Sequence, residues 1–205
     1  MPPDENVQLN ETHNYSINIK TGEIYLHGYY TDSPEEAGVE FRMATQFIKN
    51  LHILRSQKQI LIHLHTIGGN WSDGMAIYDA VILAKTKTTM LGYGSVSSMS
   101  SVILQSAKTR VLMPNTEFMV HWGGMSIDGN SLAVESSAKQ NKQSNETMLD
   151  IYAERCAEGN FFKNNNKHKT VSSVRNFIRK EINQNGDWYL TAEEAVELGI
   201  ADEIV

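Results

Sequence analysis

A serine, a histidine and an aspartate stand far apart along this chain, each where a sheet could deliver it to one rim. Ser98 lies in Gly94-Ser-Val-Ser-Ser98-Met99, between the β-branched run Thr88–Tyr93 and the helical spacing of Met99, Val102, Ile103, Leu104 and Ala107. A strand that breaks through small residues into a helix presents one side chain beside unpaired backbone N–H groups. Such N–H groups can hold a developing oxyanion, so Ser98 is the candidate nucleophile and the Met99 N–H a candidate donor. A Ser-rich turn with no chemistry has the same composition. His121, closing Phe118-Met119-Val120, is the candidate base, and Asp187, in Asn185-Gly186-Asp187, the candidate carboxylate to orient its imidazole. Gly68-Gly69 ends another strand, where glycine lets backbone N–H groups come close to a substrate carbonyl. Each also has a plain structural reading: a strand-end histidine, a turn aspartate, a Gly-Gly link. Active sites of parallel sheets gather at strand C-termini, where the serine and the histidine both fall.

The elements that must position them read as an α/β alternation. Strands are predicted over Glu23–Tyr29, Gln59–His65, Thr88–Tyr93, Thr109–Met113 and Glu117–His121. A helix is predicted from an N-cap at Ser33 with Pro34 at its first position, carrying a buried stripe of Val39, Met43, Phe47 and Leu51. Ser72–Lys85 reads as a second helix, burying Met75, Tyr78, Val81 and Ile82. Short links between strands and helices imply a mainly parallel sheet covered by helices. Beyond His121 the pattern changes. A Gly-rich loop, Trp122–Asn130, leads into a long polar helix from about Ser131 to Glu158, whose few apolar anchors are Leu132, Val134, Met148, Ile151 and Tyr152. So weak a stripe cannot fold alone, which suits an assembly element. An amphipathic helix over Val171–Ile182, a capping box at Thr191–Glu194 and a final strand over Ile200–Val205 complete the chain. Residues 1–14 are polar and are predicted to be a flexible segment unless a partner orders them; residues 15–205 read as a single domain.

Composition narrows the function. At 205 residues and 40% hydrophobic, the chain can bury a real core. A net charge of −6 argues against a nucleic-acid partner, which calls for a basic face. No apolar run approaches the roughly 20 residues that cross a bilayer. The acidic start has no apolar segment behind it, so neither a secretory signal nor a membrane partner is expected. The single Cys156 fits a reducing compartment, and the expected location is cytoplasmic. His63 and His65 share a strand face, but no carboxylate or cysteine adjoins them in sequence, so a metal pair is disfavoured.

Together these segments resemble the proteolytic subunit of the Clp protease family over about residues 15 to 205. Gly94-Ser-Val-Ser-Ser98-Met99 is similar to the family's Gly-x-Ala-Ala-Ser-Met segment, and Thr66-Ile-Gly68-Gly69 stands where the family has Ser-Pro-Gly-Gly. Pro114–His121 resembles the strand that carries the family's base, and Asp187–Asp202 its C-terminal signature. The resemblance implies a crotonase-like βαβ spiral with a long handle helix (handle about 124–170). It also implies a Ser98-His121-Asp187 triad and an oxyanion hole of the Gly69 and Met99 N–H groups. A heptameric ring, stacking of rings in pairs, an AAA+ unfoldase partner and a polypeptide substrate follow from it too. The peptidase subunit then needs no cofactor, and ATP enters only through the unfoldase.

The chain departs from that pattern in several places. Ile67 replaces proline in the glycine loop, Ser97 and Ser100 stand for Ala and Gly around the nucleophile, and Trp122-Gly123 replaces Gln-Pro after the histidine. Gly186 stands for an arginine before the aspartate. These changes keep a catalytically impaired, ring-forming scaffold open as an alternative. A crotonase-fold acyl-CoA enzyme could share the spiral but has no use for a serine paired with histidine. A membrane serine–lysine signal-peptide peptidase would bear a membrane or signal segment.

Overall fold

Apolar alternation builds the middle of the sheet. In β3 (Gln59–Thr66) the side chains of Ile60, Ile62 and Leu64 are wholly buried on one face while His65 is exposed on the other. Burying each such side chain stabilises the fold by roughly 1.5–3 kcal/mol. β3 lies parallel between β2 (Glu23–His27) and β4 (Lys87–Ser97). The computed structural model describes residues 3–27, 38–164 and 170–205. Its eight-stranded sheet runs from β1 (Ile17–Asn18), antiparallel to β2, through β3 and β4 to β5 (Thr109–Leu112) and β8 (Glu203–Ile204).

β4 changes partner along its length. Thr89–Gly92 pairs with β5, and Ser95–Ser97 pairs in parallel with β6 (Glu117–Val120), which pairs antiparallel with β7 (Trp188–Leu190). Between the two halves its register against β3 slips, from Leu64↔Gly92 to Thr66↔Val96. The sequence places a Gly/Ser turn here; instead the strand continues to Ser97, because β6 supplies the ladder partner that a sequence pattern cannot show.

The helices are α1 (Pro3–Tyr15), α2 (Phe41–Ile53), α3 (Trp71–Leu83), α4 (Met99–Leu104), α5 (Ser131–Cys156), α6 (Asn160–Lys163), α7 (Val171–Asn185) and α8 (Ala192–Glu197). Residues 3–15 are thus helical where the sequence predicts no regular structure. The helix has little apolar stripe of its own; its end is tied by Asn50, whose amide donates to the Tyr15 carbonyl at 2.6 Å. The Ser33–Pro34 helix start lies outside the described residues. The described α2 begins at Phe41, with Glu40 Oε1 accepting from the Met43 N–H at 2.9 Å, so Val39 is not on its stripe. Val39 makes a bridge to Gly69 instead. α3 turns Gly74, Ile77 and Val81 inward, leaving Met75 and Tyr78 half-buried and Ile82 58% exposed, a correction to the predicted face. The 26-residue α5 is anchored by Met148, Leu149, Ile151, Tyr152, Ala153 and Cys156, whereas Leu132 is 74% exposed. Both α7 and α8 open on capping boxes, the second at the Thr191–Glu194 pair read from the sequence.

The C-terminal strand is tied down by one buried cation. The Arg110 guanidinium pairs with Asp202 and donates through Nη1 to Gln105 Oε1 at 2.9 Å and to the Gly199 carbonyl at 2.8 Å. Burial raises the Asp202 carboxyl, but its bonds to Arg110 outweigh that and hold it below the ordinary carboxylate value. The pair's contribution is therefore present above the ordinary pKa and lost as pH falls through the depressed one. Asp202→Asn should lower stability at pH 7 by about 1 kcal/mol, since the carboxylate is half open to solvent. In urea unfolding, the gap between the two proteins should shrink below about pH 4; a gap that is flat with pH would rule the ion pair out as its source.

Candidate active site

Two strand registers bring three segments to one rim. Ser97 pairs with Met119 on β6, and the Ser98 N–H donates to the Met119 carbonyl at 2.9 Å. Val120 pairs with Trp188 in the antiparallel β6–β7 ladder, so the next pair outward is His121 opposite Asp187. Side chains follow backbone: His121 Nε2 lies 2.7 Å from Ser98 Oγ, and His121 Nδ1 lies 3.3 Å from Asp187 Oδ1. A carboxylate beside Nδ1 favours the tautomer that carries its proton there, which leaves Nε2 as the nitrogen able to accept from a serine hydroxyl. His121 is half-buried, while the Asp187 side chain is 56% exposed, so its hold on the imidazole is partly screened by water.

Ser98 sits at φ 55°, ψ −124°, the conformation of the first central residue of a type II′ turn, where glycine is usual. Holding a serine there costs on the order of 1–3 kcal/mol. The strain thrusts its side chain off the strand end toward His121. Ser100, in the first turn of α4, is fully buried, and its hydroxyl lies 2.7 Å from both the Thr66 and the Ser97 carbonyls. It thereby ties the serine turn to the end of β3.

The glycine loop lies against that turn. A Cβ on Gly68 would come within 2.7 Å of the Met99 nitrogen and the Ser98 Cβ, and Gly68 holds φ +98°, so no side chain fits there. The Val39 N–H donates to the Gly68 carbonyl at 2.6 Å, and the Asn70 N–H to the Val39 carbonyl at 2.8 Å. Strand alternation then turns the Gly69 N–H away from Val39, and among the described residues neither it nor the Met99 N–H has an acceptor. The Met99 side chain lies on Gly74 in mid-helix; a Cβ there would fall 2.2 Å from Met99 Cγ.

Beyond His121, the Gly123 N–H donates to Asn145 Oδ1 at 2.8 Å and the Gly123 carbonyl accepts from Asn141 at 2.9 Å. Trp122 Nε1 donates to Asn183 Oδ1 at 2.9 Å. The Trp-Gly that follows the histidine is therefore clamped to α5 and α7. His63 Nδ1 lies 2.7 Å from the Tyr93 hydroxyl, and His65 Nδ1 accepts from the Ser95 N–H at 3.1 Å. Among the described residues no three His, Cys, Asp or Glu side chains gather as a metal site. Of the residues singled out in the sequence, Ser98, His121 and Asp187 lie in consecutive contact, and Gly68, next to Gly69, lies against Ser98 and Met99. Sequence reasoning missed Val39 and the Gly74–Met99 contact, although a lone glycine inside a helical pattern is itself a signal of close packing.

The chain is similar to known proteins over most of its length. The sequence model described as Clp protease matches residues 36–205. The chain is 27% identical over 172 residues to the ATP-dependent Clp protease proteolytic subunit of Deinococcus radiodurans, covering 82% of this chain and 76% of that protein. It is 28% identical over 172 residues to the ATP-dependent Clp protease proteolytic subunit 2 of Pseudomonas aeruginosa, covering 82% and 77%.

Two substitutions test the backbone around the serine. Ser98→Gly should be more stable than Ser98→Ala by about 1–3 kcal/mol in denaturant unfolding, since only glycine relieves the left-handed strain. Gly74→Ala should destabilise the fold although alanine favours helix by about 1 kcal/mol; a stabilised Gly74→Ala would mean that Met99 is not lodged against α3.

Proposed function

Because this chain belongs to the Clp protease family, we propose that it is a serine endopeptidase that cleaves polypeptides within a ring-shaped oligomer. The observation that carries the proposal is the 2.7 Å approach of His121 Nε2 to Ser98 Oγ, with Asp187 behind the imidazole. In this reading His121 takes the Ser98 proton as Oγ attacks a peptide carbonyl carbon. The Gly69 and Met99 N–H groups receive the charge that builds on the carbonyl oxygen. The imidazolium, steadied by Asp187, returns the proton to the leaving amine. Water, deprotonated by His121, then hydrolyses the acyl-enzyme and restores Ser98. Every proton is accounted for by these side chains and water.

The assembly belongs to the same proposal. α5 buries apolar side chains only from Met148 onward, and its first half carries Leu132 and Val134 exposed on a helix with little stripe of its own. That supports a handle role in the joining of subunits within a βαβ-spiral fold. A heptameric ring, its pairing with a second ring and delivery of substrate by an AAA+ unfoldase are proposed with it, as is a cytoplasmic setting for the buried thiol of Cys156. Among the described residues no helix is long and apolar enough to cross a membrane.

Ser98→Ala should abolish both hydrolysis of a short fluorogenic peptide and labelling by a fluorophosphonate. Asp187→Asn should leave the fold intact while lowering kcat by about 10²–10⁴, the lower part of that range reflecting its exposure. Mass measurement of the same samples reads the oligomer. A ring of wild-type protein that neither hydrolyses nor labels would identify a scaffold and end the peptidase reading.

A further inference from the structure

A buried polar chain reaches the serine turn from the long helix. The Ser98 carbonyl accepts from the Ser101 N–H at 3.1 Å and from Ser101 Oγ at 2.5 Å. Ser101 Oγ in turn meets the Tyr152 hydroxyl at 2.5 Å. Ser101 has no exposed surface, and Tyr152 is 1% exposed. Each hydroxyl has a single proton, and a carbonyl can only accept. The Ser101 proton must therefore go to the Ser98 carbonyl, and Tyr152 must donate to Ser101 Oγ. Burial pushes the Tyr152 phenol well above its ordinary pKa, which keeps that donor protonated. From the other side, Gln105 Nε2 donates to the Ser101 carbonyl at 3.0 Å and is itself held by Arg110.

The consequence lies in the peptide bond. The Ser98 carbonyl and the Met99 N–H belong to one planar trans unit and point in opposite directions. Whatever holds the carbonyl down into the core aims the N–H outward. We propose that Tyr152, acting through Ser101, is a positioning residue: the pair fixes the Ser98–Met99 peptide and so aims both the Ser98 hydroxyl and the Met99 oxyanion donor. This rests on the peptidase reading above and adds a residue that never touches substrate. A polar pair between a short helix and a long one could otherwise have been apolar at no loss of packing, so its chemistry needs a reason. The strained peptide supplies one, because strain persists only where neighbours over-determine the conformation.

The test uses the full chain in its native assembly, a short fluorogenic peptide and a fluorophosphonate probe. Tyr152→Phe should lower kcat about 3- to 10-fold, the loss of one hydrogen bond. KM should stay within about twofold, because the donor acts on the transition state rather than on bound substrate. The rate of labelling should fall in parallel while the final extent stays complete. Ser101→Ala should lower kcat further, and the Ser101→Ala/Tyr152→Phe double variant no further than Ser101→Ala alone, as expected of one coupled unit. As a control, Ser106→Ala removes another buried hydroxyl, bonded to the Ile103 carbonyl at 2.7 Å; it should lower the melting temperature and leave kcat alone. A Tyr152→Phe protein that melts lower but keeps its kcat overturns the proposal, as do losses that multiply in the double variant. If Tyr152→Phe fails to assemble, kcat per labelled Ser101→Ala subunit decides: an undiminished value overturns the proposal. Wild-type protein that never hydrolyses or labels sinks the peptidase reading beneath it, whereas an active wild type with an unimpaired Tyr152→Phe sinks this inference alone.

Discussion

The register of one four-residue strand governs this site. β6 is hydrogen-bonded to the far half of β4 on one side and to β7 on the other, and the two pairings together bring Ser98, His121 and Asp187 to the same rim. Side chains alternate faces along a strand, so a slip by one residue on either side would turn the imidazole to the opposite face. The alternation also fixes the core. Phe118 and Val120 are buried, so a slip that misplaced His121 would expose them too. The alignment of these three side chains and the burial of the core are thus enforced by the same hydrogen bonds. This is why residues separated by 23 and 66 positions (Ser98 to His121, His121 to Asp187) can be placed within hydrogen-bond reach by strands of three and four residues.

A second constraint acts at the serine itself. Its left-handed backbone is unfavourable by on the order of 1–3 kcal/mol, a sizeable part of the 5–15 kcal/mol by which a domain is usually stable. The surrounding bonds are of matching size: Ser100 donates its one proton between the Thr66 and Ser97 carbonyls, Ser101 holds the Ser98 carbonyl, and the Ser98 N–H is taken by Met119. Each contributes about 1 kcal/mol net. Together they offset the strain and leave one geometry for Oγ.

Much of this was legible in the residues. The β-branched run into small residues and then helical spacing located the serine, and the short apolar strand located the histidine, because both signals are local. Met43, Phe47 and Leu51 form the predicted stripe for the same reason. What was not legible depended on partners distant in the chain. The Gly/Ser segment before Ser98 is a strand because β6 lies beside it, which no periodicity within residues 94–97 can announce. The inward face of α3 differs from the predicted one because Met99, from another element, occupies the space over Gly74. Val39 reads as a helix position by spacing, yet the Gly68 carbonyl and the Asn70 N–H draw it into an extended bridge. The helix over residues 3–15 likewise takes its tie from Asn50 on α2 rather than from its own pattern.

The departures from the family's motif are instructive for the same physical reason. Where the pattern has Ala and Gly around the nucleophile, this chain has Ser97 and Ser100, and a buried hydroxyl destabilises unless it finds an acceptor. Both find one: Ser97 Oγ lies 3.0 Å from Ser95 Oγ, and Ser100 Oγ lies 2.7 Å from carbonyls on two different strands, either of which can take its one proton. Small size gives a turn room to bend but does nothing to hold the bend, whereas a satisfied hydroxyl does both. The glycine loop needs that help, since Ile67 lacks the fixed φ that proline would give its first residue. Within the loop the Gly68 N–H donates to Thr66 Oγ1 at 3.3 Å, and its neighbours add the Ser100 contact at Thr66 and the Val39 bridge at Gly69. A motif can therefore lose its usual residues and keep its shape, provided the lost stiffness reappears as bonds to the same backbone atoms.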